Sequence, residues 1–183
     1  MKKIVLVLLV LAIAGSSAFA FDVMSYPPPV SGGNVLLDAG IGLRATGYSS
    51  AKWKIPPLFV QAEYALPVGV PISVGGMFTV CSYGYNYYGW ADWTWTDMTF
   101  AARGNWHWGF DVSWLDVYTG LSLGYTYSKF SSNHSDWDKY SSDYSGFFFA
   151  GQVGAHFYFT QMVGAMVEFG YPYWVKAGIA LKF

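Results

Sequence analysis

The stretch YWVKAGIALKF, residues 173–183, decides the fold. Tyr173, Val175, Ala177, Ile179, Leu181 and Phe183 share one parity; Trp174, Lys176, Gly178, Ala180 and Lys182 share the other. Successive side chains of a β-strand point to opposite faces. The segment therefore reads as a strand with one apolar face and one face carrying both lysines. Chain ends ordinarily fray, so a strand that runs to an aromatic last residue is expected to be held along its whole length.

The same alternation recurs upstream in segments of about ten residues, the signature of half-apolar strands. Val35, Leu37, Ala39, Ile41, Leu43 and Ala45 oppose Asp38, Gly40, Gly42 and Arg44. Leu58, Val60, Ala62, Tyr64 and Leu66 oppose Gln61 and Glu63, and Ile72, Val74, Gly76, Phe78 and Val80 follow. Met98, Phe100, Ala102, Gly104 and Trp106 oppose Asp97, Arg103, Asn105 and His107. Leu115 to Tyr125, Phe149 to Phe157 and Val163 to Phe169 repeat the pattern, with Asp116, Gln152, His156 and Glu168 on the polar parity. With 173–183 this makes eight strands. The connections at 67–71, 109–113 and 160–162 are short, whereas 47–54, 83–96 and 128–145 read as longer loops. Around Tyr171 and Pro172 the turn is tight.

Composition narrows the class. Charged residues are 11% and aromatic residues 21% of the chain, against about 25% charged in ordinary soluble domains. Lys2 and Lys3, the apolar run 4–14 and the small residues Ala18 and Ala20 describe a secretory signal peptide over 1–20, too short for a spanning helix. Its removal lowers the basic count from 10 to 8 against 11 acidic residues, so nucleic acid is not an expected partner. Cys81 is alone and makes no intrachain disulfide. After residue 20 no apolar run is long enough for a membrane helix. A chain this apolar satisfies its backbone in lipid in one other way, as a closed barrel.

The expected fold is therefore all-β: an eight-stranded antiparallel transmembrane β-barrel, an up-and-down meander with both termini periplasmic. Residues 21–33 form a periplasmic lead-in and 34–183 the barrel. A soluble barrel would put the apolar parity inside and a charged exterior outside. Here Asp38, Arg44, Glu63, Arg103, Asp116, Glu168 and Lys176 are too few for a soluble surface and suit an ion-paired lumen. Slipping a strand by one residue would turn its charge toward lipid, at about 2–4 kcal/mol for Arg or Lys at mid-bilayer. Aromatics near the strand ends read as two interfacial girdles: Trp106, Trp108, Trp114, Phe157, Phe159 and Phe183 below, and Tyr83, Tyr85, Trp93, Trp95, Tyr125, Tyr127, Tyr171 and Tyr173 above.

At the C-terminus, Lys176, Gly178, Leu181 and Phe183 resemble the signal polar-x-Gly-x-x-apolar-x-aromatic of bacterial outer-membrane β-barrel proteins. Together with Glu168-Phe169-Gly170-Tyr171 they are similar to small OmpX-like, OmpW-like and opacity-type barrels. The resemblance implies an outer-membrane location in a double-membraned bacterium, outer-membrane lipid around the barrel, and recognition by the barrel-assembly machinery.

Chemistry is sparse. His107 and His156 fall on lumenal parity and His134 in a polar loop. The His-x-Ser motif of outer-membrane lipid A deacylases is not reproduced at His107, His134 or His156. No catalytic residue, metal site or cofactor is expected. The reading that follows is a non-enzymatic barrel serving surface interaction or envelope structure. An external ligand or host surface would meet it through loops 83–96 and 128–146. A narrow channel for small or apolar solutes and a lipid-modifying enzyme are the alternatives.

Overall fold

A computed structural model describes residues 27–44, 51–87, 91–132 and 145–183; the signal segment, with Ala18 and Ala20, and His134 lie outside the described residues. Eight strands run in chain order: β1 (Val35–Leu43), β2 (Lys52–Ala65), β3 (Ile72–Tyr87), β4 (Ala91–Trp108), β5 (Leu115–Ser132), β6 (Gly146–Tyr158), β7 (Val163–Gly170) and β8 (Val175–Lys182). Each pairs antiparallel with the next, and β1 pairs with β8 to close a barrel. Leu36↔Lys182 through Leu43↔Val175 form the seam. The residue-183 backbone extends it by bonding reciprocally with Val35.

The parity read from the sequence sorts the side chains. Outward positions are apolar and exposed: Ile41, Leu43, Phe100, Leu121, Leu123, Phe149 and Ile179 are each more than half exposed. Inward positions are polar and buried, among them Gln61, Glu63, Thr99, Arg103, Asn105, Ser122 and Gln152. Monomeric soluble proteins rarely expose an apolar surface this continuous.

The strand ends differ from the sequence expectation. Residues 83–87 and 91–96 are not a loop but a continuous hairpin in register, with Tyr83↔Trp95, Tyr85↔Trp93 and Asn86↔Asp92 opposite each other. β5 likewise continues to Ser132 beside β4, and β2 begins at Lys52, before the expected start at Leu58. Pro56 and Pro57 hid that start. They sit inside a register shift between Ile55 and Leu58, where a missing N–H is tolerated, and this part of β2 lies beyond its pairing with β1. The wall is consequently uneven: β3, β4 and β5 run 16, 18 and 18 residues, β7 and β8 only 8 each. At about 3.3 Å per residue, the extra 8 to 10 residues amount to about 26–33 Å measured along the strands.

Above Cys81, Asp97 and Ser128 the polarity of the two faces inverts. Inward parity now carries Tyr83, Tyr85, Trp93, Trp95 and Phe130. Their rings pack on one another, Tyr83 stacking on Trp95 at 5.8 Å and Trp95 tilting on Phe130 at 4.6 Å. Outward parity carries Thr94, Thr96, Asn86, Asp92 and Lys129, with Lys54 Nζ donating to Thr94 at 2.6 Å and Asn86 to Asp92 at 2.7 Å. Tyr83, Tyr85, Trp93 and Trp95 are therefore not members of an outward girdle. Tyr125, Tyr127, Tyr171 and Trp174 are exposed at that rim, and Trp114, Phe159 and Phe183 at the other.

A second correction concerns the opening stretch. Tyr173 is buried and Trp174 is 71% exposed, the reverse of the parity expected from Val175 onward. β8 starts only at Val175, so the turn before it rotates the pair. Tyr173 crosses the bore and donates to the carbonyls of Leu58 and Val80, at 3.2 and 3.1 Å, beside the β2 irregularity. Gly42 makes room for it: a Cβ there would stand 2.0 Å from Tyr173 Cδ2.

At the other end Val30 packs on Leu36 and Ala65 inside the rim. Lys182 Nζ donates to Pro29 O at 3.0 Å, and Asn34 ties Ser31 to the Phe183 carbonyl. Residues 27–34 thus cover the mouth at the short-turn end. Gly42→Ala should push Tyr173 out of the bore and cost about 1–3 kcal/mol by overpacking. Gly76→Ala, whose Cβ would meet only Ala101 O at 3.6 Å, should cost far less. Urea unfolding of the two variants in lipid vesicles measures the difference.

Candidate functional site

The inward parities of β2, β4, β7 and β8 bring Glu63, Arg103, Glu168 and Lys176 together in one layer. Arg103 is the centre. Its Nη2 bonds Glu168 Oε2 at 2.5 Å, its Nε lies 2.8 Å from Glu63 Oε1, and its Nη1 donates to Gln61 Oε1 at 2.5 Å. Glu168 also takes Lys176 Nζ on its other oxygen and the Tyr118 hydroxyl at 2.7 Å. Asn105 Nδ2 reaches both Glu63 oxygens at 2.8 Å, Gln152 donates to Asn105 at 2.8 Å, and Ser122 donates to Gln152 at 2.8 Å. A Cβ at Gly154 would lie 2.4 Å from the Tyr118 hydroxyl, so the glycine is what lets this ring lie flat against β6.

Toward the short-turn end lies an acid–histidine layer. Asp116 accepts from His107 Nδ1 at 2.9 Å and from His156 Nδ1 at 2.9 Å, while His156 Nε2 faces Asp38 Oδ2 at 3.2 Å. Gln61 also donates to Asp38, at 2.9 Å. A neutral imidazole has one N–H and could serve one of the two carboxylates flanking His156; a doubly protonated ring serves both. Asp38 Oδ1 and the Tyr158 hydroxyl are buried without a partner among the described residues.

His107 completes a chain with the distances of a hydrolytic triad: Ser73 Oγ to Nε2 at 2.9 Å, Nδ1 to Asp116 at 2.9 Å. The proton runs the wrong way for that chemistry. A serine nucleophile must give its proton to the histidine, but the Ser73 hydroxyl is committed to Glu63, so its oxygen accepts from His107. Ser73, His107 and Asp116 are also essentially without solvent access. The arrangement is a hydrogen-bond relay inside a filled bore.

At the long-strand rim Arg44 reaches across the barrel to Asp97 Oδ2 at 2.5 Å and to Cys81 Sγ at 3.4 Å. Ser128 also donates to Asp97, and Tyr171 OH meets Thr126 Oγ1 at 3.2 Å. Arg44, Tyr171 and Tyr173 thus cross the upper mouth as beams.

The structure groups the seven charged residues in two places: Asp38, Glu63, Arg103, Asp116, Glu168 and Lys176 in the central bore, Arg44 apart at the mouth with Asp97. His107 and His156 join the network as hydrogen-bond partners of Asp116, and His156 also faces Asp38. Ser73, Gln61, Tyr118 and Asp97 were not singled out by sequence. Their strand parity placed them inward, but which inward residues touch depends on the stagger between strands. Of the terminal motif, Lys176 is buried in the bore, Gly178 lies opposite Gly40 on β1, Leu181 is half-buried, and Phe183 is exposed at the rim. The Lys176 side chain is therefore accessible to another protein only before the barrel closes.

Glu168→Met should leave Lys176 without its counter-charge and Arg103 with Glu63 alone, and cost about 3–5 kcal/mol. Combining it with Lys176→Met should cost clearly less than the two single losses together. Urea unfolding of the three variants in vesicles checks this; additive losses would remove Glu168 from the centre of the network.

No protein-family model and no curated protein matches the chain. Solved structures do. The attachment invasion locus protein Ail of Yersinia pestis, in complex with the heparin analogue sucrose octasulfate, matches with a TM-score of 0.51 and 17% identity, over 83% of this chain and 99% of Ail. The outer membrane protein OprG from Pseudomonas aeruginosa matches at 0.53 and 12% identity, over 84% of this chain and 97% of OprG. At such identities the likeness is one of fold. The chain has the fold of the small eight-stranded outer-membrane β-barrels that its C-terminal residues resemble.

Proposed function

We propose that the chain is an integral outer-membrane β-barrel protein, non-enzymatic, whose role is surface interaction or envelope structure. In this reading the signal peptide 1–20 exports it, the barrel-assembly machinery folds it, and both termini and the short turns face the periplasm. The β2–β5 extension then stands outside the cell and carries the ligand- or host-facing surface. The observation that carries the reading is the pairing of an apolar, exposed outer wall with a bore filled by partnered charges. Lipid suits the first, and the second leaves no path for solutes.

Lengths support it. The outward apolar part of β3, 72–80, has the span of about 9–11 residues that a tilted strand needs to cross hydrocarbon. The polarity inversion above Cys81 falls where such a strand would leave lipid for water. Against the channel alternative stand three barriers in series: Val30 with Leu36, the Arg103 layer, and Tyr173 with Arg44. Against the enzyme alternative stands the proton direction at Ser73.

The test is single-channel recording in a planar bilayer after heat-modifiable gel migration confirms a folded barrel. The native chain should be silent, and Glu168→Ala should introduce leak currents. Reproducible conductance of the native chain would replace this reading with the narrow-channel one.

A further inference from the structure

The outer mouth has a feature that neither the bore network nor the surface role uses. Beside the low side of the wall, where β1 ends and β7 turns into β8, a cavity of about 450 Å³ is lined by Arg44, Gly170, Tyr171, Pro172 and Trp174. Arg44 is its one cation. A guanidinium carries five N–H donors in a planar fork. Nη1 spends itself on Asp97 and Cys81. Nε and Nη2 have no acceptor among the described residues, and the side chain keeps 29% of its surface open. The carboxylate is on one edge of the guanidinium; the other edge meets no acceptor among the described residues.

Such a guanidinium edge pairs best with a planar or tetrahedral oxyanion that takes two N–H groups at once. The rest of the lining says which kind. Tyr171 and Trp174 are 43% and 71% exposed on the outer rim of the barrel, the residue types that sit at headgroup depth in a bilayer. Tyr171 is fixed by its hydroxyl at Thr126 and by its ring against Phe148, 4.4 Å away. The Trp174 backbone is anchored by its N–H bond to Leu43 O at 3.0 Å, and its ring stands exposed. An aromatic lip with a cation set just inside it matches a phosphate whose carrier lies alongside the wall.

We propose that Arg44, with Tyr171 and Trp174, forms a phosphate-binding site at the outer lip of the barrel. Its ligand chemistry is a phosphate monoester or diester, borne by a lipid headgroup or free in solution, held by the Nε/Nη2 edge of Arg44. Asp97 is the internal competitor. It draws the guanidinium inward across the bore and sets how much of the charge is left for a ligand.

The competition makes the site testable in both directions. In the first arm, ³¹P line broadening of inorganic phosphate is followed on adding the micelle-embedded chain. In the second, micelles doped equally with phosphatidic acid and phosphatidylcholine are examined by native mass spectrometry for retained lipid. Arg44→Gln should weaken binding at least about tenfold, the loss of a charge-assisted pair. Arg44→Lys, which keeps the charge and loses the fork, should fall in between. Asp97→Asn should strengthen binding, and Lys129→Gln, an exposed cation elsewhere on the outer rim, should change nothing. Binding in the first arm alone assigns the site to free phosphate, and binding in the second alone to a lipid. No binding in either arm, or binding indifferent to Arg44, overturns the proposal. Both arms use the chain folded in micelles, and gel migration of each variant reports the barrel separately, so failure here is distinguishable from failure of the outer-membrane reading.

Discussion

The structure depends on one requirement: no charge in the bore may stand alone. Glu168 shows how it is met. Its two oxygens take Lys176 from β8, Arg103 from β4 and Tyr118 from β5, so a single β7 carboxylate ties together strands on opposite walls. Backbone pairing fixes each strand only to its neighbours. The carboxylate fixes strands that never touch. Moving any of them by one residue would send its charged member outward and strand the others. Buried ion networks are poor sources of net stability compared with apolar packing; what this one supplies is a common height for four strands and a bore without room for solvent.

The inversion of polarity along β3, β4 and β5 follows from a change of surroundings at constant backbone geometry. Below Cys81 the outside is apolar and the inside holds paired charges. Above it the outside carries Thr94, Thr96, Asn86 and Asp92, and the inside is a cluster of rings. Hydrophobic side chains point toward whichever side lacks water. In the lower barrel the bore is already taken by polar groups, so the apolar side is the exterior. In the extension water lies outside and the rings turn to one another. Where the two regimes meet, Arg44, Asp97, Ser128 and Tyr173 close the bore.

Much of this was legible in the sequence, for a physical reason. Period-two alternation is enforced by the pleat, so eight strands, their closure order and the inward placing of Glu63, Arg103, Asp116, Glu168 and Lys176 followed from counting. Three things resisted. The extension reads as a loop because its apolar parity changes phase, and an alternation that flips halfway looks like no alternation. Pro56 and Pro57 concealed the start of β2, since a register irregularity cannot be seen one strand at a time. Tyr173 and Trp174 were assigned to the wrong faces because a turn, not a strand, precedes Val175. Contacts across the bore, such as Ser73 with His107 or Arg44 with Asp97, depend on strand stagger, which no single strand encodes.

The same geometry says where function must lie. The short-turn mouth is covered by residues 27–34, the middle is filled by ion pairs, and the upper mouth is crossed by Arg44, Tyr171 and Tyr173. Conduction would require all three closures to open together, and the central one cannot open without exposing unpaired charge. The Ser73–His107–Asp116 relay is sealed between two of them, with no solvent access to its serine, histidine or carboxylate. At the long-strand end the wall is tall on the β2–β5 side and low at the β7–β8 turn. That asymmetry makes an open-sided step: aromatic rings line the inner face of the high wall, and Arg44, partly open, sits at the low lip. On the proposed reading, it is the rim and not the centre where such a barrel would meet other molecules.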